Sequence, residues 1–302
     1  MKIDDLEQSR HVEDRRGQSG GSYGGSPVGG GSGMMGLLLQ LLFSSGKGKW
    51  LIIAILAFSL LGGGVGLGDL LGLNATQSNY ETNYSPSEVS DEDAVFISKV
   101  FNSTEDFWTQ EFKKEGRTYH APTLVIYDQQ TPTGGCGVGS ASAGPFYCSG
   151  DNKVYIDLTF YQDLSQKYGA SGDFAMAYVI AHEVGHHVQN ELGIMDRYNN
   201  ERRGLSEKAA NALNVRLELQ ADYYAGAWAH YVEGQGLLEM GDIEEAMNAA
   251  HAVGDDTLQE EAYGKSVPDS FTHGTSAQRQ KWFNRGYQYG DIQHGDTFSG
   301  NI

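Results

Sequence analysis

The chain has 302 residues, 39% of them hydrophobic, enough for one good-sized domain plus accessory segments. Its formal net charge of −18 excludes a nucleic-acid binder, because such proteins need a cationic surface to displace counterions from phosphates. Most of the excess among its 41 glycines falls before residue 75, so the globular part is more ordinary than the average composition.

In chain order, residues 1–33 are charged and then Gly/Ser-rich, the composition of a disordered tail. Residues 34–49 open on an apolar run too short to span a bilayer and read as an interfacial, juxtamembrane segment. Residues 50–68 carry no charge across 19 positions, the length of a spanning helix, and predict a transmembrane helix over 50–70 in contact with the lipid bilayer. A cleaved signal peptide fits less well, since 49 residues precede the run. Lys47 and Lys49 lie just before it, and no Lys or Arg follows until Lys99. This bias predicts a single-pass protein of the plasma membrane with its N-terminus cytoplasmic and the remainder extracytoplasmic. Residues 71–90 read as a polar linker, and 91–302 as the domain.

From residue 91 the pattern turns helical, with Ile97, Val100, Phe101, Phe107, Trp108 and Phe112 at three- and four-residue steps. Residues 123–127 and 153–158 have strand character. Helices are predicted over 173–190, 206–231, 242–253 and 276–287, which makes the domain α+β: a small sheet, then mainly helices. Between the strands lie Cys136 and Cys148, the two cysteines of the chain. They are either free thiols or a disulfide stapling a short loop, and the predicted extracytoplasmic placement favours the disulfide.

The segment His182-Glu183-Val184-Gly185-His186 falls inside the helix over 173–190. Positions i and i+4 share a helix face, so His182 and His186 can both ligate one Zn²⁺. Glu183, beside the first ligand, can serve as the base for an attacking water. The preceding stretch, Phe174 to Ala181, is too apolar for a surface helix, which puts the histidines in a buried setting. His187 lies about 100° around the helix and does not share their face. A catalytic zinc needs a third protein ligand. Gln189 and Leu192 stand where one class of enzymes has Gly and a third His, so that class is excluded. The best remaining ligand is Glu218, with Asp222 at i+4 placed to hold a ligand histidine by its free ring N–H. The reverse assignment, Asp222 as ligand, stays open.

His-Glu-Val-Gly-His followed by Glu218-Leu219-Gln220-Ala221-Asp222 resembles the gluzincin metallopeptidases. More closely, the chain resembles the bacterial neutral zinc metallopeptidase family, in Val12-Glu13-Asp14-Arg15-Arg16, the Gly-Cys-Gly and Gly-Pro-Phe-Tyr-Cys segments of 135–148, Val154-Tyr155-Ile156-Asp157-Leu158 and His273-Gly274-Thr275-Ser276-Ala277-Gln278-Arg279. The resemblance implies a zincin-like fold behind one membrane span, one zinc per chain and a peptide or protein substrate. His273 is a candidate for stabilising an oxyanion, with a capping or packing role as the alternative. The strand over 154–158 is a candidate for pairing with an extended substrate.

The expected activity is that of a membrane-anchored zinc endopeptidase with a Glu183 base. Two rivals stand beside it: a non-catalytic zinc-binding membrane scaffold, and a zinc amidase acting on cell-wall peptides.

Overall fold

A computed structural model describes residues 1–17, 91–166 and 169–302. The predicted interfacial segment 34–49, transmembrane helix 50–70 and linker 71–90 lie outside the described residues. Among the described residues, no helix is long and apolar enough to cross a membrane.

The domain is mixed α+β and mostly helical. In chain order it contains β1 (Val12–Asp14), α1 (Glu92–Lys114), β2 (Thr123–Tyr127), β3 (Gln130–Pro132), β4 (Val138–Ser140), β5 (Phe146–Cys148), β6 (Lys153–Asp157), α2 (Thr159–Gln166), α3 (Asp173–Glu191), α4 (Ile194–Arg202), α5 (Glu207–Gly234), α6 (Asp242–Ala252), α7 (Asp255–Tyr263) and α8 (Ser276–Tyr289). The five helices predicted from periodicity are α1, α3, α5, α6 and α8. Their starts follow from local chemistry. Asp91 accepts the backbone N–H groups of Asp93 and Ala94 at the head of α1, Ser206 accepts that of Ala209 at α5, and Thr275 with Gln278 closes a capping box on α8.

The main sheet has the order β1-β2-β6-β5, with β1/β2 and β2/β6 parallel and β6/β5 antiparallel. β3 and β4 form a separate hairpin, and Cys136 is bridged to buried Cys148 of β5. One apolar core lies between the sheet and the helices, with Phe101, Trp108, Leu124, Ile156, Phe174 and Trp228 fully covered.

Residues 1–17 correct the expectation of disorder for the first half of the predicted tail over 1–33, whose remainder, 18–33, lies outside the described residues. Val12, Glu13 and Asp14 pair in register with Leu124, Val125 and Ile126. The stretch is held along its length. Lys2 N–H donates to Leu237 O at 2.8 Å, Lys99 Nζ donates to Ile3 O at 2.8 Å, and Ser9 Oγ bonds Glu105. Buried Glu13 meets both Arg15 (2.6 Å) and Lys153 (2.7 Å). Tail and domain are therefore one body. A charged three-residue strand carries no alternation to betray it; it forms because the β2 edge supplies the partners.

The helical layer depends on close approach of α5 and α8. A Cβ on Gly286 would lie 1.9 Å from Tyr223 O, and one on Gly226 would lie 1.9 Å from Phe283 O. Both obstacles are backbone, so neither side can yield without separating the helices. Gly286→Ala is expected to destabilise the domain by about 3 kcal/mol, read as a lower urea midpoint at unchanged slope.

Candidate metal centre

The site is built where α3 crosses α5. A Cβ on Gly185 would stand 3.1 Å from both Cα and O of Ala221, so glycine inside the motif lets the helices approach closely. The crossing sets His182 and His186 of α3 opposite Glu218 of α5. Glu218 Oε2 lies 3.3 Å from His182 Nε2 and 3.5 Å from His186 Nε2. His182, His186 and Glu218 are all buried and offer one donor atom each within a 4.8 Å cluster.

These distances fit a metal better than direct hydrogen bonds. Donors around a tetrahedral ion at about 2.0–2.1 Å stand roughly 3.3 Å apart, whereas a charge-assisted N–H···O contact is about 2.7–2.9 Å. Three buried atoms face the same space without a protein partner: His186 Nε2, Glu218 Oε1 and Glu183 Oε2. An orphaned buried acceptor is costly, and a cation with its water would satisfy all three. The donor set, two imidazoles and a carboxylate, suits Zn²⁺.

Each imidazole is held by its other nitrogen. His182 Nδ1 lies 2.9 Å from Asp222 Oδ1, and His186 Nδ1 lies 2.9 Å from Gln189 Oε1. The Gln189 amide is itself fixed by donating to Leu217 O at 2.7 Å. Nδ1–H donation in both rings leaves Nε2 free to face a cation. Glu218 thus shares a possible metal site with the two Nε2 atoms, and Asp222 lies behind His182.

Asp222 is also gripped from outside the motif. Arg279 of α8 donates to both its oxygens at 2.9 Å, and Tyr178 OH donates to Oδ1 at 2.5 Å. Burial alone would raise the Asp222 pKa, but Arg279 and then His182 outweigh it and hold the carboxyl at about 2. Burial likewise works against charge on Glu218, yet His186 and His273 keep it well below the ordinary carboxylate range. For Glu183 burial wins over the attraction of His186 and His182, and its pKa is raised. A raised pKa makes Glu183 a better proton acceptor than an ordinary surface carboxylate.

His273 lines the same cavity as His182, Glu183, His186 and Glu218. It precedes α8 without capping it, since Thr275 does that. Its position is set by Asp255 at the head of α7. Asp255 Oδ2 accepts the backbone N–H groups of Thr272, His273 and Gly274 at 2.7, 2.6 and 3.0 Å, and Oδ1 lies 3.4 Å from His273 Nδ1. The apolar wall of the cavity is formed by Pro145, Phe160, Val179, Val253 and Leu258.

Sequence reasoning did not assign roles to Gln189, Asp255, Tyr178 or Arg279. Gln189 was legible in principle, three residues beyond His186 on a buried face. Asp255 and Arg279 reach the site only through tertiary folding. The remaining histidines stand apart. His187 is buried between Tyr147 OH (3.1 Å) and His120 O (2.7 Å), a structural role. His120, His230 and His294 bond Glu191, Tyr287 O and Asp291. The expected substrate strand is corrected. β6 is interior, hydrogen-bonded by β2 and β5 on its two sides, so the sheet edge nearest the metal cluster is β5, whose Tyr147 N–H faces the Glu183 carboxylate. A second carboxylate group, Asp173, Asp242 and Glu245, has another occupant: the Met1 ammonium, 2.9 Å from Asp173 and 3.3 Å from Asp242.

The chain is 47% identical over 304 residues to the "Uncharacterized protein YpfJ" of Escherichia coli (strain K12), covering 100% of both chains. It is 46% identical over 192 residues to the "Uncharacterized protein Rv2575" of Mycobacterium tuberculosis (strain ATCC 25618 / H37Rv), covering 60% of this chain and 64% of that one. No solved structure matches. Residues 1–298 match the family described as "Putative neutral zinc metallopeptidase", and the chain belongs to that family.

Proposed function

We propose that this protein is a zinc-dependent endopeptidase, attached to a membrane through its apolar residues 50–70, that hydrolyses peptide bonds with Glu183 as general base. The observation that carries this reading is the combination at one cavity of a three-donor cluster and an unpartnered, buried carboxylate oxygen on Glu183. A purely structural zinc site has no use for such a base.

His182 Nε2, His186 Nε2 and Glu218 would hold the ion, which supplies Lewis acidity and a lowered water pKa. Asp222 and Gln189 keep the two imidazoles in the ligating tautomer. Glu183 accepts the proton of the attacking water and returns it to the leaving amine. His273, anchored by Asp255, presents its ring to the cavity where the carbonyl oxygen gains charge. The backbone of β5 is the sheet edge available to an extended peptide. Placement outside the plasma membrane is supported by the Cys136–Cys148 bridge, since such bonds persist in oxidising compartments.

The purified full chain, incubated with a mixed protein substrate, is expected to cleave it and to stop on addition of a chelator; no cleavage of any protein or peptide would favour a scaffold. Glu183→Gln should retain zinc while turnover falls about 10²- to 10⁴-fold, and an unchanged rate would remove Glu183 from the base role. Zinc stoichiometry by metal analysis should collapse in His186→Ala, and Asp222→Asn should weaken zinc about 10- to 100-fold in a competitive titration. His273→Ala should lower kcat about 10²- to 10³-fold with little change in KM; a loss confined to KM would make His273 a substrate-binding residue instead.

A further inference from the structure

The stretch from Thr133 to Gly144 has little to bury. Five of its twelve residues are glycine, and its one large apolar side chain, Val138, is 58% exposed. Glycine has the most conformational freedom to lose on folding, and burial of apolar surface is what usually offsets such a loss. Here the order of the chain has another source. Arg15 Nη1 donates to Thr131 Oγ1 (3.0 Å) and Pro132 O (3.1 Å) on β3, and Gly134 N–H donates to Asp151 Oδ2 at 2.6 Å in the hairpin turn. Cys136, in the same turn, is bridged to Cys148 at the end of β5, which closes residues 136–148 into a ring.

That ring contains one side of the candidate active site. Ala143, Gly144 and Pro145 line the cavity shared by His182, Glu183, His186 and Glu218. Tyr147, next to Cys148, turns its backbone N–H to the Glu183 carboxylate. β5 is bonded to β6 along one edge, and its other edge is unpaired among the described residues. The ring packs through a small apolar cluster of Val125, Tyr127, Phe146, Cys148 and Tyr155, in which Phe146 stacks on Tyr155 at 4.9 Å. A bridge sulfur is thus part of what anchors it. The helices carrying the donor cluster, α3 and α5, are held by the separate main core.

We infer that the Cys136–Cys148 bridge is a redox-sensitive latch on this cavity. Closed, it holds the wall at 143–145 and the β5 edge in place to receive a peptide. Reduced, it loosens both and leaves the donor cluster intact. Cys136 is half-buried and Cys148 fully buried, so a dithiol carrier attacks at Cys136 Sγ. Its thiolate forms a mixed disulfide with Cys136 and expels Cys148 as a thiolate, which takes up a proton. The second carrier thiol then displaces Cys136. Two electrons have passed to the bridge, giving two cysteine thiols and an oxidised carrier. That the wall receives a peptide rests on the peptidase reading; the latch rests on the ring and the two separate cores.

The test compares the full chain oxidised, reduced by a water-soluble phosphine, and as the double variant Cys136→Ala/Cys148→Ala. Opening the bridge is expected to accelerate amide hydrogen exchange over 133–148 and leave α3, α5 and zinc content unchanged. With a peptide substrate, KM should rise about 10-fold at constant kcat, because only the fraction of molecules with an ordered wall binds. Reoxidation of the native chain should restore KM. Unchanged exchange over 133–148 overturns the latch. Loss of zinc, or faster exchange throughout α3 and α5, overturns it too, since the bridge would then support the whole domain. A fall in kcat at constant KM overturns the hold on substrate. Absence of cleavage in every form strikes the peptidase reading alone, and exchange still decides the latch. Should the double variant fold poorly, the reduced native chain carries the comparison.

Discussion

The carboxylate of Asp222 is the contact on which the centre depends. It is fully buried and receives Arg279 from α8, Tyr178 from α3 and the Nδ1 side of His182. An ionised carboxylate in such a place is stable only when its lone pairs are filled by donors, and removing one partner of a buried charge pair costs about 3–5 kcal/mol. Three helices are thereby committed to one geometry around a single anion. The position of His182 is a consequence of that commitment, and Glu218, one turn earlier on α5, is delivered to the Nε2 edge of the same ring. The orientation of the His182 imidazole is thus coupled to the packing of α8.

Shape at the crossing matters as much as charge. Gly185 sits between the two histidines of the donor cluster, facing the α5 backbone at Ala221. A larger side chain there would push α5 outward, lengthening the Glu218 contacts to both Nε2 atoms. The two central residues of the His-Glu-x-x-His pattern are therefore not interchangeable here: Val184 fills the core, and Gly185 sets the interhelical distance.

Much of the centre was legible because it is local. His182, Glu183 and His186 occupy one helical turn, Glu218 and Asp222 occupy another, and the apolar neighbours of both turns announce burial. The helices were legible for the same reason, through periodicity and capping side chains such as Asp91, Ser206 and Thr275. What the sequence hid is non-local. Asp255 supports His273 from the start of a different helix, and nothing in the run Gly254-Asp255-Asp256 distinguishes it from an ordinary N-terminal turn. The interior position of β6 could not be deduced from Val154-Tyr155-Ile156, since an edge strand and a buried one can share that composition. β1 is the extreme case. Two of its three residues are charged, and a Gly-rich stretch follows, so the local signals pointed to a tail.

β1 also bears on the order in which the molecule can assemble. Val12 and its partner Leu124 are separated by more than a hundred residues of chain. At synthesis rates of roughly 5–20 residues per second, the first strand waits several seconds for its partner to leave the ribosome. Residues 18–90 are made during that wait, before the parallel pairing can close. Closure entropy grows only slowly with loop length, by about 0.6 kcal/mol per doubling, so the delay is kinetic more than energetic. The nascent chain thus has an interval in which its N-terminal strand is made but still unattached.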